Sequence, residues 1–313
     1  MFPLKEKKIV VTGGAGFLGH HVYDALISRG VSKERIFVPQ FPEYDLRKRE
    51  DCERIVKNQD AVIHLAARVG GIGYARQHPG EMFYDNLVMG VEMLEASRKA
   101  LIEKFVAVGS VCSYPKFISV PAREEDLWNG YPEETNAAYG LAKKMLLVGA
   151  QAYHDQYGFN AISLLQVNLY GPGDNFDPVS SHVIPALIRK VFEAKSAGQD
   201  FIEVWGTGSA TREFLYVEDA AEGIVLALEN YNKPDPVNLG SGTEISIKDL
   251  VHKIANIADF KGEIRWDPSK PDGQPRRLFD VSRAKKEFGF QAKTTFDVGL
   301  KKTIEWYEKT VAL

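Results

Sequence analysis

The sequence predicts an α/β fold built on a doubly wound parallel sheet, with a smaller α/β lobe on the C-terminal side. Short apolar segments alternate with amphipathic segments through the first half of the chain, and a glycine-rich turn follows the first apolar segment. Strands of a parallel sheet are covered by helices on both faces, so they are continuous apolar runs. The 313 residues are 44% hydrophobic and 26% charged, which excludes disordered, collagen-like and coiled-coil chains.

The predicted elements of the first half alternate regularly between strand and helix. The predicted strands span residues 8–12, 36–38, 61–65, 105–108 and 161–165. The predicted helices between them span residues 20–29, 49–57, 79–100 and 138–157. Gly30 marks the end of the first helix.

After residue 168 the alternation breaks, and turn-forming residues follow at 171–174 and 177–178. Further helices are predicted at 181–196, 218–230 and 246–258, and residues 265–277 form a basic, proline-rich stretch that we expect to be irregular. We therefore predict a first domain over 1–168. A smaller lobe over 169–313 follows it, with some segments returning to the first domain.

The charge balance argues against nucleic-acid binding, because 39 Lys and Arg are offset by 42 Asp and Glu. No apolar run approaches the roughly 18 residues that a membrane-spanning helix needs, so we expect no membrane contact. The charged N-terminus does not resemble a signal peptide. Cys52 and Cys112 are too few for a disulfide framework and indicate a reducing compartment. These observations predict a cytoplasmic protein without a metal site.

The turn after the first strand has the pattern of a dinucleotide-binding loop. Gly13, Gly16 and Gly19 are spaced three apart between a strand and a helix. Glycine allows the backbone to turn tightly and to approach a pyrophosphate, and the helix N-terminus offers free N–H groups. The predicted cofactor-binding residues of this turn are Gly13, Gly14, Ala15, Gly16, Phe17, Leu18 and Gly19. The parallel sheet is therefore predicted to be of the Rossmann type.

The choice between NAD and NADP is normally made after the second strand, by an acid for the ribose hydroxyl or an arginine for the 2′-phosphate. Here that place holds residues 39–42, Pro-Gln-Phe-Pro, with neither an acid nor a base. Arg35 precedes the strand and Asp45 lies in the next turn. These residues by themselves leave both cofactors open.

Tyr139 and Lys143 lie one helical turn apart, on one helix face. A nearby ammonium group stabilises a phenolate and lowers the pKa of tyrosine, which suits proton transfer to a carbonyl oxygen. Ser110 ends the fourth predicted strand and could bind the same oxygen. A solvent-exposed Tyr and Lys on a surface helix would show the same spacing. Together with the glycine turn, the three residues predict an oxidoreductase triad.

Cys112 and His182 are further candidates, each with a plain structural alternative. Cys112 lies two residues after Ser110, and a single cysteine is most often a buried structural thiol. His182 precedes a predicted helix and could be a polar residue at the helix start. Spacing alone favours the structural reading of both.

Five stretches are similar to the GDP-L-fucose synthases, which are extended short-chain dehydrogenases. Members of this family use NADPH to epimerise and reduce a GDP-linked 4-keto-6-deoxy sugar. The similar stretches are 69–72, 110–116, 168–176, 181–187 and 204–214. The likeness extends through nearly the whole chain, including residues 269–273. The stretches that contain Cys112 and His182 are more specific to the family than the glycine turn.

The resemblance implies a role for each of these positions. Ser110, Tyr139 and Lys143 would form the reductase triad, and Cys112 and His182 would be the base and acid of epimerisation. The further cofactor-binding residues would be Lys143, Gln166, Val167, Asn168 and Leu169. The residues that meet the GDP-sugar would be Lys190, Trp205, Arg212 and Asp272. The resemblance favours NADP(H) without excluding NAD(H), and the superfamily suggests a homodimer through the helix at 138–157.

The chain departs from the family pattern at two places. Residues 39–42 lack the arginine that usually meets the NADP phosphate, and Gln166 replaces a usual proline. Alternatives are a GDP-heptose or GDP-mannose 3,5-epimerase/reductase, or an NAD-dependent sugar 4-epimerase or 4,6-dehydratase. A dehydratase would carry an Asp-Glu pair where this chain has Val111 and Cys112. A non-catalytic nucleotide sensor would tend to lose Tyr139 or Lys143.

Overall fold

Eleven strands and ten α-helices form the described part of the chain, residues 1–270 and 272–311 of a computed structural model. The strands are β1 Ile9–Thr12, β2 Ile36–Phe37, β3 Ala61–His64, β4 Lys104–Ser110, β5 Ala161–Gln166, β6 Asn168–Tyr170, β7 Phe201–Trp205, β8 Thr211–Tyr216, β9 Val237–Leu239, β10 Glu244–Ser246 and β11 Glu263–Asp267. The helices are α1 Phe17–Ser28, α2 Arg49–Val56, α3 Ile72–Gln77, α4 Pro79–Lys99, α5 Ala137–Tyr157, α6 Val183–Ser196, α7 Val217–Asn230, α8 Ile247–Ile257, α9 Ser282–Phe288 and α10 Phe296–Thr310. Within these ranges, no helix has the length and apolar composition needed to cross a lipid bilayer.

A six-stranded parallel sheet with the order β2-β1-β3-β4-β5-β9 forms the larger part of the molecule. Every residue of β1, β3 and β5 is buried, as expected for strands covered on both faces. Strand β9 comes from the second half of the chain and pairs with β5 at the edge of the sheet. The predicted doubly wound parallel fold is confirmed.

Helices cover the two faces of this sheet with separate apolar cores. On one face, Val11 packs in a cluster with Leu26 of α1 and Ile224 of α7. On the other face, Val62 packs in a cluster with Met93 of α4 and Leu146 of α5. Because successive side chains of a strand point to opposite faces, one short apolar strand contributes to both cores.

The smaller lobe has its own core and two small sheets. Strands β10, β8 and β6 form a three-stranded sheet, and β7 pairs with β11 in parallel. Its core includes Ile188, Ile254 and Tyr307, from α6, α8 and α10. The boundary predicted at residues 168 and 169 falls inside the short strand β6, and the division into two domains stays a prediction.

Two expectations for the C-terminal part differ from the structure. The stretch 265–277, expected to be irregular, begins inside strand β11. This strand contains charged Arg265, and its partly buried side chains, Ile264 and Trp266, pack against the small core. Helices α9 and α10 were not predicted from the sequence, and neither was the short helix α3 in the first half of the chain. Pro271, in the family-like stretch 269–273, lies outside the described residues.

The sheet also buries a histidine at the C-terminal end of β3. His64 is fully enclosed, and its Nδ1 lies 2.9 Å from Oγ1 of Thr12 on the neighbouring strand. Burial, together with the positive charge of Lys143, lowers the pKa of His64 to about 3. The imidazole is therefore neutral in the folded protein.

We expect the free energy of unfolding to fall as the pH drops from 6.5 towards 3. Unfolded His64 binds a proton with its ordinary pKa, whereas the folded chain binds it only near pH 3, so acid favours the unfolded state. The loss due to His64 should be about 3 kcal/mol at pH 4. Urea unfolding at pH 7 and pH 4 should show a smaller loss for His64→Gln. Equal losses in both proteins would show that His64 is not the titrating group.

Candidate functional site

A cleft of about 860 Å³ opens where the C-terminal ends of the sheet strands meet the smaller lobe. It brings together most of the residues predicted from the sequence. The predicted residues that line it are Gly13, Ala15, Gly16, Phe17, Leu18, Gly19, Ser110, Cys112, Tyr139, Lys143, Gln166, Val167, Asn168, Leu169 and His182. Gly14 does not line it and instead packs against the side chain of Val38, the residue after β2.

The glycine turn fits a dinucleotide cofactor. Gly16 is the N-cap of α1, and no side chain caps the helix, so its first N–H groups face the cleft without a protein partner from the cap. A Cβ atom at Gly19 would lie 2.2 Å from the carbonyl oxygen of Gly13, so only glycine lets α1 start this close to β1. The helix N-terminus is therefore open to a pyrophosphate.

Cys112 is placed by a single helical turn at the end of β4. The backbone N–H of Cys112 donates to Oγ of Ser110 at 3.1 Å, so the serine caps the turn that carries the cysteine. The thiol is half-buried, and its neighbours Val111 and Ser113 are buried. Ser110 and Cys112 therefore both border the cleft from one rigid turn.

The start of α5 docks directly onto this turn. Oγ of Ser113 donates to the carbonyl of Gly140 at 2.8 Å. A Cβ atom at Gly140 would lie 2.3 Å from the carbonyl oxygen of Cys112, so the contact requires glycine. Tyr139, the residue before Gly140, is thereby held against Ser110 and Cys112.

Burial dominates the electrostatics of Tyr139 and Lys143. Burial and the nearby Cys112 raise the pKa of Tyr139, and a hydrogen bond with Ser110 opposes the shift. Burial lowers the pKa of Lys143 to about 8, and its Nζ donates to the carbonyl of Val108 at 3.1 Å. The sequence led us to expect a lowered pKa for Tyr139. The structure shows the opposite direction because desolvation of the phenolate outweighs its other interactions.

His182 approaches the cleft from the smaller lobe. It is the N-cap residue of α6, and its surface remains exposed towards the cleft. Although exposed, its imidazole is surrounded by protein on several sides, and this desolvation lowers its pKa. The segment before it is anchored because N–H of Gly71 donates to the carbonyl of Ser180 at 2.9 Å. Cys112 and His182 therefore border one cleft from different elements.

The four residues predicted to meet the GDP-sugar lie in the smaller lobe, outside the lining of this cleft. Trp205 is 64% exposed, and Nζ of Lys190 donates to the carbonyl of Glu203 at 2.6 Å. Arg212 donates to the carbonyls of Thr211, Gln274 and Asp272. The Asp272 carboxylate accepts from N–H and Oγ1 of Thr207, both at 2.7 Å. Asp272 thus holds the turn after Trp205.

Arg277 is a neighbour of Arg212 that the sequence analysis missed. Burial and the charge of Arg277 lower the pKa of Arg212 to about 10. Within the described residues, neither arginine has a carboxylate oxygen within 4.0 Å. Arg277 instead donates to the carbonyl of Val111, next to Cys112. The charges of Asp272 and Glu133 offset part of the Arg212 pKa shift without forming an ion pair with Arg212. The basic stretch 265–277 was the sequence signal for this cluster of positive charge.

Arg47, Arg68 and Asp174 also line the cleft and were not predicted. Arg47 pairs with both carboxylate oxygens of Asp45 at 2.9 Å and with Asp85 at 3.2 Å. Asp174 is buried, and burial raises its pKa to about 7. In the described chain, no three His, Cys, Asp or Glu side chains come close enough to hold a metal ion.

Comparisons of the sequence and of the structure with known proteins point to the same group of enzymes. Residues 9–240 match the NAD dependent epimerase/dehydratase family. A GDP-L-fucose synthase of Sinorhizobium fredii is 40% identical over 100% of this chain and 99% of its own. A GDP-L-fucose synthase of Escherichia coli is 33% identical over 97% of each chain. The structure of a GDP-L-fucose synthetase from Naegleria fowleri bound to NADP is 29% identical with a TM-score of 0.87, over 97% of this chain and 95% of the other.

We expect Gly140→Ala to lower the free energy of unfolding by about 1–3 kcal/mol, because the added methyl group collides with the Cys112 carbonyl. Gly80→Ala in α4 is the matched control, since a Cβ atom there meets nothing within 4 Å. Denaturant unfolding of both variants measures the difference. If the two unfold at the same denaturant concentration, α5 is not held by this contact.

Proposed function

Because the chain belongs to the NAD dependent epimerase/dehydratase family and, within it, to the GDP-L-fucose synthases, we propose that it epimerises C3 and C5 of a GDP-4-keto-6-deoxy sugar and then reduces C4. The observation that carries this proposal is that one cleft contains both the residues expected to reduce a ketone and the pair expected to epimerise the neighbouring carbon atoms. Ser110, Cys112 and Tyr139 are held by one contact between a turn and α5. His182 comes from a separate element of the smaller lobe.

Epimerisation needs a base and an acid on opposite sides of a carbon atom. The C4 carbonyl of the substrate acidifies the protons on C3 and C5, and Cys112 as thiolate would remove one of them. Ser110 and Tyr139 would hold the enolate oxygen by hydrogen bonds. His182 would return a proton from the other side of the cleft. Burial lowers the pKa of His182, so the fraction of His182 that carries the proton to be donated rises as the pH falls.

Reduction needs a hydride donor and a proton donor. The nicotinamide cofactor supplies hydride to C4 when it is bound. Tyr139 would donate the proton to the C4 oxygen, and its raised pKa keeps the phenol protonated at neutral pH. Lys143 would line the cofactor site one helical turn away, held in place by the Val108 carbonyl. Ser110, already bonded to the N–H of Cys112, would orient the same substrate oxygen.

The smaller lobe offers groups that suit a nucleoside diphosphate. Arg212 and Arg277 would bind the diphosphate, because they are adjacent cations without a carboxylate partner in the described chain. Trp205 presents an exposed aromatic face on which a guanine ring could stack. Asp272 would act indirectly by holding the turn that carries Trp205. Lys190 would be the fourth of the residues that meet the GDP-sugar.

For the cofactor we propose a weak preference for NADP(H). Arg47 is the cation of the cleft that follows β2 most closely in sequence, and it would meet the 2′-phosphate. Its guanidinium is already paired with Asp45 and Asp85, so binding a phosphate would require giving up some of these bonds. A strong preference is therefore not expected.

We further propose that two copies of the chain associate through α4 and α5. These adjoining helices carry several exposed apolar side chains, which a second copy would cover. They are Phe83, Tyr84, Val91, Met145 and Val148. The cytoplasmic location stays a prediction from the sequence.

We expect Cys112→Ser to block exchange of the substrate C3 and C5 protons with deuterated water, because the thiolate is the base. Slow reduction of the unepimerised ketone should remain. Tyr139→Phe is the matched variant: it should keep part of the exchange, because Ser110 still holds the enolate oxygen, and lose about 10²–10⁴ in the rate of reduction. His182→Asn should retain some exchange while slowing inversion. Proton NMR of the products in deuterium oxide measures exchange, and cofactor absorbance measures reduction.

Two results would contradict these assignments. Exchange by Cys112→Ser at the wild-type rate would make Cys112 a packed thiol. Absence of any exchange in the wild-type protein would instead favour a keto-sugar reductase or a sugar 4-epimerase.

We expect Arg47→Leu to weaken NADPH binding by about 3- to 10-fold, the equivalent of one charge-assisted hydrogen bond or less. Binding of NADH, which lacks the 2′-phosphate, should stay nearly unchanged and serves as the control. Titration calorimetry with both cofactors gives the two dissociation constants. A wild-type protein that binds NADH more than tenfold tighter than NADPH would contradict the preference itself.

A further inference from the structure

Gln166 lines the cleft, and the amide nitrogen of its side chain has no hydrogen-bond partner in the described protein. The residue ends β5 and is 6% exposed, yet it lines the cleft together with Ser110 and Tyr139. Its Nε2 atom is fully buried and makes no hydrogen bond. A buried amide group without a hydrogen-bond partner is destabilising, so we expect it to have a ligand.

The register of the sheet shows what Gln166 faces. Gln166 pairs with Ser110 on β4 and with Leu239 on β9. Paired residues of neighbouring parallel strands point to the same face, so the carboxamide lies on the Ser110 side of the strand. The two residues are at the C-terminal ends of their strands, where a Rossmann-type sheet binds its cofactor.

A second unpartnered group on the same strand makes a useful contrast. Oγ of Ser163 is also buried without a hydrogen bond. Ser163 is three residues before Gln166, so its side chain points to the opposite face, and it pairs with Ala107 within the sheet. Ser163 does not line the cleft. Of these two buried groups, only Gln166 is therefore placed to meet a bound molecule.

We propose that the Gln166 carboxamide binds the carboxamide of the nicotinamide ring, an inference that rests on the proposed function. The two groups are complementary, because each offers both a donor and an acceptor. Ser110 and Tyr139 already serve the substrate oxygen, whereas the nicotinamide carboxamide has no other assigned partner in this cleft. A bond at this point restricts rotation of the ring about its glycosidic bond.

This contact is a feature of the present chain. Proline, the residue usual at this position in the GDP-L-fucose synthases, has no side-chain donor. The remaining residues of the segment, 167–169, lack a carboxamide apart from Asn168, whose Nδ2 already donates to the carbonyl of Glu213 at 3.2 Å.

The test compares two ligands that differ by the nicotinamide ring. Titration calorimetry of nucleotide-free protein measures the dissociation constants of NADPH and of 2′-phospho-ADP-ribose, which lacks the ring. Gln166→Met keeps the length and volume of the side chain and removes the amide. We expect it to weaken NADPH binding by about 3- to 10-fold and to leave 2′-phospho-ADP-ribose binding unchanged. Ser163→Ala is the matched control and should change neither constant.

Gln166→Asn keeps the amide but shortens its reach, and it should weaken NADPH binding in the same selective way. The proposal is overturned if NADPH binds Gln166→Met as tightly as the wild type, or if both ligands weaken in parallel. It is also overturned if only the reduction rate falls while both constants stay unchanged, since the amide would then face the substrate oxygen. Wild-type protein that binds neither ligand would contradict the proposed function itself.

Discussion

The contact between the turn at 111–113 and the start of α5 is the constraint on which the site depends. The Ser113 hydroxyl binds the Gly140 carbonyl, and Gly140 leaves room for the Cys112 carbonyl to approach. The docking of this turn on α5 therefore sets the positions of Ser110, Cys112 and Tyr139 together. If these three side chains were mobile, ordering them around a substrate would cost conformational entropy in every reaction cycle.

Burial is the second feature that shapes this region. At the C-terminal edge of the sheet it lowers the pKa of His64 and Lys143 and raises that of Tyr139. In each case the protein favours the neutral form, because the low-polarity surroundings solvate charge poorly. A protonated phenol suits proton donation, and hydrogen bonds in such surroundings are stronger than in water. The same burial makes the unpartnered amide of Gln166 costly, which is why it points to a ligand.

The smaller lobe contributes positively charged and exposed aromatic side chains to the site, whereas the sheet contributes buried polar groups. Arg277 connects the two, because it lies near Arg212 and donates to the Val111 carbonyl beside Cys112. A diphosphate bound at the two arginines, as proposed, would therefore contact a side chain that also bonds to the turn carrying Cys112. The second half of the chain returns to the first sheet through β9, and an isolated bridge joins Phe279 to Ala122 of the first half.

The alternation of apolar strands and amphipathic helices, and the glycine turn after β1, were enough to determine the parallel α/β fold. These signals are local, since each arises from neighbouring residues that share one element. The short sequence motifs likewise identified the family, and most of the residues that they singled out line the cleft. The tertiary structure alone decided the proximity of Arg277 to Arg212, the placement of Gly140 against Cys112 and the direction of the Tyr139 pKa shift. Each of these depends on distance and burial between residues far apart in the chain, which no local pattern encodes.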